Sequence, residues 1–292
     1  MFNSLQCQVK ENVSLATYTS WKVGGKCRYF IEPNNKEDIQ ETLSICKNNN
    51  TPYFVIGKGS NILINDEGFN GAVIYIGKGC SEYSILGNSV SVQAGMPLPK
   101  LAFTMAKLGF EGFEFYAGIP GTVGGAVVMN AGSAGEETKN ILKSVTYLND
   151  YGILKKKELK DLELGFRSSS FLHSKFVIIE AEYDLREDLN NKAIEKTKKN
   201  AERRRTKFPL NIPSAGSTFK SPPQGPYPGK LIEEAGLKGY RVGGARISER
   251  HGNWIENVDQ ATAKDIKKLI RVAKNEVKIK HSIVMEEEVI CV

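Results

Sequence analysis

The sequence predicts a mixed helix-and-strand fold divided into two domains, on three observations. The first is its length of 292 residues, of which 40% are hydrophobic and 25% charged, enough for two cores of ordinary size. The second is a series of short β-branched and aromatic segments set between glycine turns, extending to about residue 185. The third is a highly charged segment, Asn190 to Arg205, that runs into Pro209 and Pro213 and marks the domain boundary.

Taken in order, Lys36 to Asn48 places Ile39, Leu43 and Cys46 at helical spacing, and Pro99 to Leu108 does the same with Leu101, Met105 and Leu108. Tyr53-Phe-Val-Ile, Gly71-Ala-Val-Ile-Tyr-Ile and Lys175 to Tyr183 read as strands, and Asn61 to Asn65 as another. Asn190 to Arg205 reads as an exposed helix. After a Gly/Pro-rich stretch, Ser214 to Gly229, a short helix is expected around Lys230 to Ala235. Thr262 with Asp265 resembles an N-cap pair, opening a helix whose stripe is Ile266, Leu269, Ile270, Ala273 and Val277. Ile283 to Val292 reads as a final strand, with Glu286 and Glu288 on one face and Glu287 opposite. There is no internal repeat.

Composition narrows the function classes. No run approaches the roughly 18 apolar residues of a membrane helix. Met1-Phe-Asn-Ser-Leu lacks the basic start and apolar stretch of a signal peptide, so a cytoplasmic protein without a membrane partner is expected. Cys7, Cys27, Cys46, Cys80 and Cys291 are odd in number and scattered, without a C-x-x-C pair, which argues against a disulfide framework and a zinc site. His173, His251 and His281 are few and separated, and no metal is expected. The net charge of +7 favours anionic partners. The densest cationic cluster, Arg203 to Arg205 with Lys207, has no interleaved aromatics, so nucleic acid is not the expected partner.

The chemistry is concentrated in glycine. Between Ala117 and Glu137 the chain reads AGIPGTVGGAVVMNAGSAGEE, a bare backbone able to approach a ligand and converge N–H groups on an anion. A tight structural turn beside a packed helix is the plainer alternative. A second cluster, Gly57-Lys58-Gly59-Ser60-Asn61, comes after an apolar strand but lacks the third glycine of a dinucleotide fingerprint and leads into another strand rather than a helix. Together the two loops suggest a pyrophosphate held between them. The candidate cofactor contacts are Gly57, Lys58, Gly59, Ser60 and Asn61 in one loop. In the other they are Gly118, Ile119, Pro120, Gly121, Thr122, Gly124, Gly125, Asn130, Gly132 and Gly135.

Beyond these loops the chain resembles one family along nearly its whole length. Thr19-Ser-Trp-Lys-Val-Gly-Gly, Gly57-Lys-Gly-Ser-Asn, and Ala117-Gly-Ile-Pro-Gly-Thr-Val-Gly-Gly-Ala with Asn130-Ala-Gly resemble the flavin-binding half of UDP-N-acetylenolpyruvoylglucosamine reductases. Gly165-Phe-Arg-Ser-Ser-Ser-Phe, Ala215-Gly-Ser-Thr-Phe-Lys, Leu231 to Gly239 and Met285-Glu-Glu-Glu-Val continue the likeness in the family's order. The resemblance implies an α+β fold: an FAD-binding domain of the p-cresol methylhydroxylase type over residues 1–190, with subdomains of about 1–75 and 76–190. A smaller α/β substrate domain would occupy 191–292, its last strand packing back toward the flavin.

It also implies a reaction. NADPH reduces a noncovalent FAD, which reduces the enolpyruvyl ether of a UDP-sugar to UDP-N-acetylmuramate in cell-wall synthesis. By resemblance Arg167 and Glu288 stabilise the enolate, and Ser217 delivers the proton to carbon. A guanidinium can hold a carboxylate through two bonds, whereas Glu288 helps only if protonated and Ser217 only beside a polarising neighbour, for which Lys207 or Lys220 is available. Lys207, Lys220 and His251 fall at substrate-side positions. The chain departs from the family pattern at Ser221, where asparagine is common. It also has no room between Leu162 and Tyr183 for a tyrosine-bearing loop, which makes it the shorter branch. A monomer or weak dimer is expected. The alternatives are an FAD oxidase of small alcohols or sugars, which has no ready use for Arg167, Ser217 and Glu288, and a nucleotide-binding module without catalysis.

Overall fold

The computed structural model describes residues 1–208, 211–222 and 224–292; Pro209 and the side chain of Lys207 lie outside the described residues. Two larger sheets organise the first two-thirds of the chain. The first has the order Gln8–Ser14, Lys26–Glu32, Phe69–Tyr75, Tyr53–Ile56, its last pair parallel with Tyr53 opposite Ala72. The second is antiparallel, in the order Leu154–Glu158, Leu142–Leu148, Val177–Asp184, Ser89–Gln93, Tyr83–Leu86.

The chain divides into two compact units. One comprises 1–11, 29–58 and 71–204; the other 12–28, 59–70 and 205–292. In the first unit, helix α1, Lys36–Asn48, begins where the Asn35 side chain accepts the Asp38 N–H at 2.8 Å. Ile39, Leu43 and Cys46 line its buried stripe, as their spacing predicts. Helix α2, Leu98–Lys107, opens with proline in its first turn, and α3, Val123–Met129, lies within the glycine-rich stretch. α1, α2, α3 and the five-stranded sheet contribute to one core that includes Leu43, Leu101, Met105, Val127, Val145 and Ala181. The charged helix α4, Ala193–Lys207, is anchored at its start by the Asp188 carboxylate, which accepts the Lys192 and Ala193 N–H groups at 3.0 and 2.7 Å.

The second unit packs α5, Pro228–Glu234, and α6, Ala263–His281, with an antiparallel sheet of Arg241–Val242, Ala245–Ile247 and Ile255–Asn257. The expected capping box opens α6: the Thr262 side chain accepts from Asp265 N, and the Asp265 carboxylate accepts from Thr262 N. The unit also draws in two early segments. Trp21 is fully buried, its indole N–H donating to the Ile255 carbonyl at 2.7 Å. Asp66 accepts the Ala263 and Lys264 N–H groups at 2.7 and 3.0 Å, a second cap on the same helix.

Three expectations differ from the structure. Compactness places the division after Arg204 rather than near Asn190, because Asn200 of α4 donates to the Glu114 carbonyl at 3.0 Å and keeps that helix with the first unit. The segments around Trp21 and Asp66 pack in the second unit although they lie in the first 75 residues. Finally, Ile283 to Val292 is not one strand. Residues 286–288 hydrogen-bond to the Thr218–Lys220 backbone, and only Ile290–Cys291 form a strand, paired parallel with Ile62–Leu63. A change of partner midway breaks the ladder.

The Asp66 cap yields a prediction. Asp66→Ala leaves two helix-end N–H groups without their acceptor and costs about 1–2 kcal/mol. A thermal melt of the variant beside the parent, at equal ligand occupancy, reads this as a lowered Tm.

Candidate functional site

The two glycine loops meet within the first unit. Gly57 ends the Tyr53–Ile56 strand so close to Thr122 that a methyl group on it would collide with Thr122 Oγ1. Thr122 precedes α3, and the Val123 and Gly124 N–H groups donate to Met96 and Ala94 carbonyls at 3.0 and 2.8 Å, pinning the loop against the link between Gln93 and α2. Among the described residues, the main-chain N–H groups of Gly121 and Thr122 have no protein acceptor. A bare turn, two uncommitted amides and a threonine hydroxyl therefore lie side by side, an arrangement suited to phosphate oxygens. Lys58 is exposed nearby in sequence. Residues 59–70 belong to the second unit, where Gly59, at φ +60°, lies against the Tyr18 carbonyl.

α3 ends at Asn130, which is fully buried in the left-handed region at φ 42°. Its carboxamide is used on both sides. Nδ2 donates to the Gly165 carbonyl at 2.8 Å and to Glu137 Oε2 at 3.2 Å, and Oδ1 accepts from Lys139 N at 3.0 Å. The expected cofactor residue Asn130 thus holds protein loops together. Gly132 and Glu137 pair across a short hairpin turned by Ala134 and Gly135, both at positive φ. Behind the loop, Tyr116 donates to Thr138 Oγ1 at 3.0 Å, which donates to the Ala131 carbonyl at 2.9 Å. Burial pushes the Tyr116 phenol up to about 12, so it stays a neutral donor.

Arg167 belongs to a second hairpin, Leu164–Gly165 with Ser168–Ser169, tied to α3 by the Asn130 bond and by Ser169 Oγ donating to the Val128 carbonyl at 2.6 Å. Arg167 sits at φ 50°, a left-handed conformation that side chains other than those of Gly and Asn seldom adopt. That costs about 1–2 kcal/mol and is found where the surroundings hold a functional group in place. Its guanidinium donates to the Gly132 carbonyl at 2.9 Å and lies 3.9 Å from Glu137 Oε1.

In the second unit a short strip, Ser217 to Lys220, is hydrogen-bonded along both edges. On one edge Ser217 bridges Trp254, and Thr218 N donates to the Asn253 carbonyl at 2.8 Å. On the other, Glu288 N donates to the Thr218 carbonyl at 2.8 Å and Lys220 N to the Glu286 carbonyl at 2.9 Å. The strip therefore brings together the backbones of Ser217 and Glu288, which are distant in sequence. Asn61 adds to this: its side chain donates to the Glu288 carbonyl at 2.9 Å, and its own carbonyl accepts from Ile290 N at 3.0 Å. Asn61 is expected at the cofactor, yet the structure commits its side-chain amide to the chain at Glu288. Lys220, one of two lysines expected to polarise Ser217, pairs with Glu286; the other, Lys207, has its side chain outside the described residues. Glu287 pairs with Lys274 at 2.8 Å. His251 Nδ1 accepts from Asn253 N at 3.3 Å, which puts the proton of a neutral ring on Nε2, and the ring packs 5.8 Å from Phe208 and 6.2 Å from Trp254.

Comparison with known proteins accords with this anatomy. The chain is 41% identical to the UDP-N-acetylenolpyruvoylglucosamine reductase of Alkaliphilus oremlandii over 94% of its length and 90% of that protein's. To the reductase of the same name from Clostridium novyi it is 40% identical, covering 97% and 91%. The crystal structure of UDP-N-acetylenolpyruvylglucosamine reductase from Thermus caldophilus superposes with a TM-score of 0.83 at 34% identity, over 98% of this chain and 99% of that one. The chain belongs to the UDP-N-acetylenolpyruvoylglucosamine reductase family. Residues 208–292 match the family's C-terminal domain and residues 27–156 match an FAD-binding domain, so the expected α+β class with a flavin domain is shown.

An FAD pyrophosphate fits what the first unit presents. Gly57 brings no side chain to its contact with Thr122, and the amides of Gly121 and Thr122 have no protein acceptor among the described residues. Among the described residues, no group of three His, Cys, Asp or Glu side chains is arranged to hold a metal, and no helix is long and apolar enough to cross a membrane.

Gly57→Ala tests the loop junction. Its methyl group meets Thr122 Oγ1 and pushes the two loops apart, and retention of FAD through gel filtration falls at least about 10-fold; retention equal to the parent's contradicts a pyrophosphate held at this junction.

Proposed function

We propose that this chain is the FAD-dependent, NADPH-using reductase of the enolpyruvyl ether of UDP-N-acetylglucosamine, producing UDP-N-acetylmuramate for peptidoglycan synthesis. The observation that supports this most is the likeness to reductases of that name along 94% or more of the chain. When bound and reduced, the flavin supplies a hydride to the methylene carbon of the ether. The remaining requirements fall to the protein's own side chains: hold the substrate carboxylate, stabilise negative charge next to it, and protonate the adjacent carbon.

Arg167 suits the first task. A guanidinium carries a permanent charge on a planar fork of N–H donors that matches a carboxylate, and here it is steadied by its bond to the Gly132 carbonyl at 2.9 Å. Its hairpin is anchored to α3, so the charge is held before the substrate arrives rather than ordered by it. Ser217 is the proposed proton donor to carbon. Glu288 is the proposed acid that shares the developing negative charge, a role that requires it to carry its proton. The backbone bonds at Thr218 fix the spacing between these two residues. Lys207, Lys220 and His251 are proposed on the substrate side, with the excess of basic residues favouring approach of a diphosphate. A cytoplasmic location and a monomeric or weakly dimeric state are part of the same proposal.

The test separates the two half-reactions by stopped-flow absorbance of the flavin. Ser217→Ala keeps flavin reduction by NADPH within about 2-fold, but slows reoxidation by the enolpyruvyl UDP-sugar by about 100-fold or more, the usual scale of general acid catalysis. Equal losses in both steps contradict the assignment. Arg167→Lys retains the charge yet lowers kcat/KM for the UDP-sugar by about 100-fold, because a compact ammonium cannot reproduce the two-bond fork. Turnover near the parent's would exclude that role. A protein that neither loads FAD nor consumes NADPH in response to the enolpyruvyl ether would overturn the whole reading.

A further inference from the structure

Asn253 makes more hydrogen bonds to the Ser217 strip than any other side chain described. It is almost fully buried, at 1% exposure. Its carboxamide lies against Phe219 as a neighbouring strand would: Oδ1 accepts the Phe219 N–H at 2.9 Å, and Nδ2 donates to the Phe219 carbonyl at 2.8 Å. Nδ2 also reaches Ser221 Oγ at 3.3 Å, and the Asn253 main-chain carbonyl accepts from Thr218 N at 2.8 Å. One residue thus continues a ladder with its side chain where the backbone turns away toward Gly252. Buried main-chain groups left unpaired cost about 1–3 kcal/mol each, so the strip has one favoured position along Asn253.

We propose that Asn253 is a positioning residue for Ser217: its carboxamide fixes the register and height of the Ser217–Phe219 backbone, and so the place from which the Ser217 hydroxyl acts. This rests on the reading of Ser217 as the proton donor. Asparagine is required because the position needs one acceptor and one donor in the plane of a peptide group. An aspartate of the same shape keeps the acceptor and sets a second oxygen against the Phe219 carbonyl. The consequence falls on the protonation step alone, since flavin reduction by NADPH does not use Ser217.

The experiment is a double-mutant cycle on the FAD-loaded enzyme with Asn253→Asp, Ser217→Ala and both together, each half-reaction followed at the flavin absorbance. Asn253→Asp slows reoxidation by the enolpyruvyl UDP-sugar by about 30-fold and leaves reduction by NADPH within about 3-fold; in the Ser217→Ala background it adds less than about 2-fold. Multiplicative effects, equal loss in both half-reactions, or reoxidation at the parent rate overturn the proposal. Ser221→Ala removes only the 3.3 Å contact and keeps the test open if Asn253→Asp does not fold. It slows reoxidation by about 3-fold, again only when Ser217 is present, and an unchanged rate overturns the proposal. If Ser217→Ala itself leaves reoxidation unchanged, the functional reading of Ser217 fails instead, which separates the two.

Discussion

The arrangement of the second unit depends on one constraint: the Ser217–Lys220 strip must satisfy its main chain on both edges at once. Asn253 and Trp254 complete one edge and the segment 286–288 completes the other. Phe219, at 1% exposure, anchors the strip in the core with Ile255, Leu269 and Met285. A buried strand cannot trade these bonds for water, so the chain beyond α6 has to return alongside Thr218. That return carries Glu288 beside the Ser217 backbone and then delivers Ile290 to Ile62.

The first unit meets a comparable requirement by a different device. The backbone around α3 lies in turns rather than strands, and the turns are secured by side chains: Asn130 to Gly165, Ser169 to Val128, Arg167 to Gly132. Asn130 and Arg167 both occupy the left-handed region, where neither gains from its own conformation. The compensation is local, since the Asn130 carboxamide makes three hydrogen bonds in a fully buried position.

Periodicity and capping chemistry make much of the fold legible. α1 coincides with the stripe read over Lys36 to Asn48, and α6 begins at the Thr262–Asp265 box. The final segment escapes such a reading because alternation signals extended backbone but not a partner, and here the partner changes at residue 289. For the early segments around Trp21 and Asp66, position in the chain points to the wrong unit. What decides their place is a single indole N–H and a single carboxylate, bonded across about 200 residues or more. No local pattern announces such pairings. Within the glycine loops the roles of the carboxamides are not legible: Asn61 and Asn130 are expected at the cofactor, and in the structure the side-chain amide of each donates to a main-chain carbonyl of the protein.

The three consecutive glutamates show what geometry adds to a motif. As a sequence, Glu286-Glu287-Glu288 offers three equivalent acids in what reads as a solvated cluster. The structure makes them unequal. Glu286 is exposed and pairs with Lys220, and Glu287 pairs with Lys274. The Glu288 main chain gives its N–H to the Thr218 carbonyl, and its own carbonyl accepts from the Asn61 side chain. The ladder that sets the place of the Ser217 backbone therefore also sets that of Glu288, a link that adjacency within the run does not reveal.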